Sequence, residues 1–231
     1  MALRLALSAV ACLVAAGLAF WPQYLGRPWS TIDGYTHAHA ALGVAWLLVL
    51  VAQPLLIRTR RLASHRRLGR ATLWLGPMFA ASGFLLAHHR FSRMSAETFA
   101  REAYSLYLPL SVASLFAVAY GLGLWWRAAM PVHARFMAST AVLFLDPVLG
   151  RILFAYFPPL PALPLYQAIT FTATAAVLLA LLWSAPPTTR GLPAFKGYTI
   201  GAIAVLALFF VVPFSRAWLA FASWFRSLPL T

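Results

Sequence analysis

Acidic residues are almost missing from this chain of 231 residues: four Asp and Glu stand against 18 Lys and Arg. Charged residues of both signs make up only 10% of it, where a soluble domain carries about 25%. That shortage argues against a water-soluble fold. Cysteine is nearly absent as well. The single Cys12 excludes an intrachain disulfide and says nothing of compartment. Several familiar chemistries lack their short motifs: there is no Walker-type phosphate loop, no CxxC pair, no CxxCH haem attachment and no HExxH zinc helix. No lysine falls in the middle of the last apolar run, because Lys196 precedes it, which argues against a retinal Schiff base.

What the chain has instead is apolar length. Hydrophobic residues make up 62%, mean hydropathy is +0.80, and about 20 apolar residues suffice for one helical crossing of a bilayer. Seven runs meet that need, at about 3–21, 36–57, 71–89, 103–126, 136–155, 163–184 and 198–222. The expected fold is all-α: a polytopic transmembrane bundle of about seven helices, forming one domain over residues 1–231. The first run also reads as a secretory signal, and Ala9-Val10-Ala11-Cys12 resembles a lipoprotein cleavage site; its continuation to Trp21 favours a retained span.

The net charge of +14 sits mainly in short loops between these runs. That placement points to anionic lipid headgroups rather than to nucleic acid. The segment RTRRLASHRRLGR holds Arg58, Arg60, Arg61, Arg66, Arg67 and Arg70 between the second and third runs, and so belongs on the cytoplasmic side. Threading from it places the N-terminus inside and the C-terminus outside. Two stretches echo one another: His65-Arg66-Arg67 before a run containing Pro77, and His133-Ala134-Arg135 before a run containing Pro147. A repeat of helix pairs, 2–3 and 4–5, is the construction this implies.

All six histidines fall at helix ends. Counting along the second and third runs at 1.5 Å per residue brings His37, His39, His88 and His89 to the outer boundary. Neutral imidazole is a common metal ligand and haem axial ligand. Four at one depth, on helices joined by a short loop, predict a metal or haem site there, holding haem b or a transition metal. His37 and His39 lie about 200° apart on an ideal helix, so both face one site only if that end is unwound. Gly43, one turn on, would admit a flat macrocycle or a neighbouring helix. The alternative stays open: interfacial histidines also reach headgroups and water. His65 and His133 are secondary candidates on the opposite face.

Asp146 lies near the bilayer centre, where a carboxylate is expensive and a functional candidate by default. Its position before Pro147 also suits the N-cap of a restarted helix, with Arg151 placed for an ion pair. Gln53, before Pro54, is the other intramembrane polar residue of interest.

Thr36-His37-Ala38-His39, Trp46, Gln53-Pro54, His65-Arg66-Arg67-Leu68-Gly69, His133-Ala134-Arg135-Phe136-Met137, Asp146-Pro147 and Gly150-Arg151 occur in this order. Over residues 35–155 the chain resembles a family of predicted bacterial multi-pass membrane proteins with HxH and HxR motifs; histidines near both faces give a looser similarity to cytochrome b561-type proteins. The resemblance implies a bacterial inner-membrane location and assigns no catalytic residue. Three functions follow as expectations. The first is redox or electron transfer at the outer histidine site. The second is a non-enzymatic membrane subunit or small-solute transporter with no cofactor, working with a membrane partner or a second copy. The third is a metal-dependent enzyme acting on a lipid-soluble substrate.

Overall fold

The computed structural model describes residues 2–157 and 163–231. Ten α-helices follow one another among them, and no strand occurs among the described residues: α1 Ala2–Phe20, α2 Gly34–Arg58, α3 Leu62–Ser92, α4 Ala96–Glu102, α5 Tyr107–Trp125, α6 Met130–Val142, α7 Leu145–Tyr156, α8 Leu163–Trp183, α9 Leu192–Leu208 and α10 Arg216–Ser227. Seven stretches are long and apolar enough to cross a membrane. They match the seven runs of the sequence, so the chain is a multi-pass all-α bundle.

Consecutive crossings alternate in direction and divide the molecule into two ends. The arginine-rich end holds the α2–α3 turn, where Arg58, Arg60, Arg61, Arg66, Arg67 and Arg70 are all exposed. The other is the histidine end. Exposed tryptophans mark both: Trp125 and Trp183 close helices at the arginine-rich end, and Trp21 and Trp29 lie at the histidine end. Indole rings favour such positions because they are apolar bodies with one N–H for the headgroup region.

Three of the boundaries that depart from the sequence reading have a clear local cause. Helix α3 begins at Leu62, so most of the arginine segment is helical; arginine is a good helix former and its long stem lets the charge reach water from a helix end. The last crossing ends at Phe214 rather than running to 222. Pro213 stops it, and Ser215 starts α10 by accepting a hydrogen bond from the Trp218 amide at 3.1 Å. That crossing also begins at Leu192, which puts Lys196 inside its first turns, exposed at the arginine-rich end and far from mid-span. The two proline-bearing crossings differ: α3 runs unbroken through Pro77, whereas the fifth crossing breaks at Leu143–Phe144 between α6 and α7.

Aromatic rings fill the centre. Trp46 meets Phe116 and Tyr120 edge-on, with centroids 5.0 and 5.3 Å apart, and Phe79 meets Phe116 at 5.0 Å. Lipid tails are as apolar as leucine, so helix association here relies on close packing and interhelical hydrogen bonds. Both are present. A Cβ on Gly76 would stand 2.7 Å from the Tyr120 ring, so only glycine lets that ring lie against α3. The Tyr120 hydroxyl then donates to the Thr72 carbonyl at 2.6 Å, and Trp46 Nε1 donates to Thr140 Oγ1 at 3.1 Å.

Candidate functional site

Helix α2 is regular from Gly34, capped by Asp33, whose two carboxylate oxygens accept from the Thr36 amide at 2.9 Å and the Thr36 hydroxyl at 2.8 Å. Partial burial works to raise the Asp33 carboxyl. The Thr36 hydrogen bonds and nearby His89 outweigh it and hold the group below the ordinary aspartate value. Because the helix is not unwound, His37 and His39 point away from each other. His37 pairs with the Tyr24 hydroxyl (2.9 Å) and the Trp29 carbonyl (3.1 Å) of the preceding loop. His39 turns into the bundle, stacks on Phe79 with centroids 5.0 Å apart and meets Ser82 Oγ at 2.8 Å. The Ser82 hydroxyl donates its proton to the Phe79 carbonyl at 2.7 Å, so it accepts from His39 Nδ1–H. His39 Nε2 is thereby left with its lone pair.

The α3 pair diverges too. His88 is fully buried, meets Thr231 Oγ1 at 2.8 Å through Nδ1, and leaves Nε2 buried without a partner. His89 stacks on Tyr35 at 4.4 Å, approaches Asp33 at 3.7 Å through Nε2, and leaves Nδ1 without a partner. An open depression of about 460 Å³ lies beside it, lined by Asp33, Gly34, Tyr35, Ala38, His89 and Arg93. The four imidazoles thus take separate partners and do not share a level: His39 lies beside Ser82, about 9 Å along α3 from His88 at helical rise. Among the described residues no three His, Cys, Asp or Glu side chains gather where they could hold one metal ion. The space beside Gly43 is taken by the Phe79 ring, which a Cβ there would approach to 3.2 Å.

Deeper in the same half, the fifth and sixth crossings meet through polar side chains. Asp146 is buried at 6% exposure. It is not the N-cap expected from Asp146-Pro147: α7 starts two residues earlier than that cap would set, Phe144 takes the cap position, and the carboxylate lies in the first turn. There Oδ1 accepts from Gln167 Nε2 at 2.8 Å and from Thr170 Oγ1 at 2.6 Å, both on α8.

The expected ion pair with Arg151 is also not made. Among the described residues the ion pairs within 4.0 Å are His89–Asp33 and Arg101–Glu97. Instead Arg151 Nη1 donates to the Pro147 carbonyl at 2.9 Å, the guanidinium lies 4.5 Å over the Phe20 ring of α1, and Nε is buried without a partner. His39, Arg90 and Asp146 lie within electrostatic reach of it. Ser82, Gln167, Thr170 and Phe20 were not singled out by sequence reasoning. Hydroxyl, amide and phenyl groups carry no signal until the neighbouring helix is known.

At the arginine-rich end Gln53, with its amide oriented to satisfy both ends, accepts from the Gly69 amide at 3.0 Å and donates to His65 Nδ1. His133 Nδ1 donates to the Gly123 carbonyl at 2.8 Å. The two histidines are near enough for their charges to interact. Arg135 has a structural task. It is buried at 3% exposure and donates to the Leu181 carbonyl at 3.0 Å and to the Pro131 and Ser184 carbonyls at 2.8 Å. It therefore supplies donors to carbonyls at the end of α8 that no further helical turn can satisfy.

Comparison with known protein families, with curated proteins and with solved structures gives no match.

Proposed function

We propose that the protein is a small-solute transporter of the bacterial inner membrane, coupled to protons through Asp146. One observation carries this reading: Asp146 and Arg151 lie in the same crossing with opposite charges, and do not neutralise each other by contact. Ionisable groups at such depth are expensive, and are retained where they bind or move something. Asp146 is held by two neutral donors of α8 rather than by a cation. A proton can therefore come and go without breaking an ion pair. His39, with a free Nε2 lone pair, stands within electrostatic reach of Arg151. The arginine-rich end belongs in the cytoplasm by the excess of positive charge in its short loops, where it meets anionic headgroups.

The test uses proteoliposomes loaded with a pH-sensitive dye under an imposed potassium diffusion potential. Wild type is expected to change the internal pH faster than protein-free vesicles, and Asp146→Asn to match the protein-free rate. Wild type no faster than empty vesicles would overturn the reading.

A redox role is the second reading. It is supported by His88 Nε2 and His89 Nδ1, two buried imidazole nitrogens without partners, of the kind that can ligate haem iron or a transition metal. An absorption spectrum with metal analysis of the purified protein decides it: a Soret band, or stoichiometric metal lost in His88→Ala, supports it, and a featureless, metal-free spectrum ends it.

A further inference from the structure

We infer that Arg151 is the receptor for an oxyanion, a carboxylate or a phosphate, entering from the histidine end. A guanidinium offers a side-on edge, Nε–H and Nη2–H, whose two parallel donors match two oxygens of one carboxylate or phosphate. In Arg151 the other nitrogen, Nη1, is already bonded to the Pro147 carbonyl of its own helix, which fixes the side chain in place. The remaining edge is free: Nε is buried without a partner, and Nη2 makes no hydrogen bond to any described residue. A buried donor left unmade is costly, more so on a charged group, so this edge is built for something not of the chain.

The surroundings favour an anion over a neutral acceptor. Arg90 lies within electrostatic reach of Arg151, and the one carboxylate nearby, Asp146, has Oδ1 committed to Gln167 and Thr170. Arg151 and Arg90 are thus two cations against one carboxylate within that reach. The guanidinium carbon lies 4.5 Å from the centre of the Phe20 ring, so that side of the group is covered while the Nε–Nη2 edge keeps its donors unmade. At helical rise Arg151 lies about 8 Å below Tyr156, where α7 ends. Both a small carboxylate from solution and a lipid phosphate can reach that depth.

This inference names the solute class of the proposed transporter and so rests on that reading for its role, but binding can be tested without transport. The probes are benzoate and phosphatidylglycerol, added separately to the protein in maltoside detergent, with benzamide and diacylglycerol as uncharged counterparts. Binding is read by equilibrium dialysis of labelled probe and by the shift in unfolding temperature.

Saturable binding of benzoate, or of phosphatidylglycerol, but not of its uncharged counterpart is expected. It should weaken about tenfold or more in Arg151→Gln, and partly in Arg151→Lys, which keeps the charge and loses the fork. Benzoate alone identifies a free carboxylate as the ligand; phosphatidylglycerol alone identifies the lipid. Failure of both probes to bind wild type saturably, a result that needs no variant to fold, overturns the inference, as does equal binding by Arg151→Gln. Proton flux without oxyanion binding leaves the transporter reading standing; binding without flux removes that reading and leaves the site.

Discussion

Substitution of Asp146 separates its hydrogen bonds from its charge. In Asp146→Ala, Gln167 Nε2 loses the acceptor it holds at 2.8 Å. Thr170 does not, because its hydroxyl also reaches the Gln167 carbonyl at 3.2 Å. One half-buried donor is stranded, and a stranded donor costs about 1–3 kcal/mol when fully buried, so the lower end applies. Asp146→Asn keeps an oxygen for both donors. The NH2 it introduces replaces Oδ2, which makes no hydrogen bond to a described residue, so the loss should be about 1 kcal/mol or less. Unfolding of purified wild type, Asn and Ala variants in mixed micelles by a denaturing detergent measures the three side by side. The order expected is wild type, then Asn, then Ala, with Asn inactive in the flux assay despite its stability. If Asn and Ala are equally damaged, by about 3–5 kcal/mol as when a buried pair is broken, the charge is structural and the case for a mobile proton at Asp146 fails.

Gly76→Ala should cost about 1–3 kcal/mol by overpacking, because the added Cβ displaces the Tyr120 ring and lengthens its 2.6 Å bond to Thr72; an unchanged unfolding midpoint would contradict the packing described. Asp33 gives a pH dependence of definite sign. Its folded value is depressed below 3.8, so its contribution is complete above that pH and is lost as pH falls through the lower folded value. The stability gap between wild type and Asp33→Asn should therefore be constant above pH 3.8 and shrink below it; a gap that widens in acid would reverse the assignment. Arg135→Met should strip the Leu181 and Ser184 carbonyls at the end of α8 of their donor. Hydrogen exchange in that segment should rise more than in α2, and a uniform change would show that no local cap was removed.

The crossings were legible because each is a long run of apolar residues, and arginine density distinguished the ends. Depth was legible only in part: counting at helical rise placed His37, His39, His88 and His89 at one level, but His39 meets Ser82, about 9 Å along α3 from His88. Direction around the helix was not. It depended on whether residues 34–41 were wound, and the Asp33 cap winds them, so His37 meets Tyr24 while His39 meets Ser82. Asp146-Pro147 marked a real break, but its register was off by two residues, because the cap position falls on Phe144. Its partners Gln167 and Thr170 sit on a separate crossing, and hydropathy does not report which crossings are neighbours. The end of the seventh crossing was signalled by Pro213 and Ser215, which an apolar count alone passes over.

The proposed transport requires that the polar cluster around Asp146 be reached from the histidine end by solutes in water, although it lies within the apolar layer. Gln167→Cys, made with Cys12→Ala so that no other thiol remains, places a reporter beside the carboxylate. Val177→Cys, on the exposed face of α8, places one against lipid. A charged, membrane-impermeant thiol reagent added at the histidine face of oriented membrane vesicles should modify the first thiol and spare the second, and benzoate should slow the first reaction. Equal inertness of the two thiols would contradict the account.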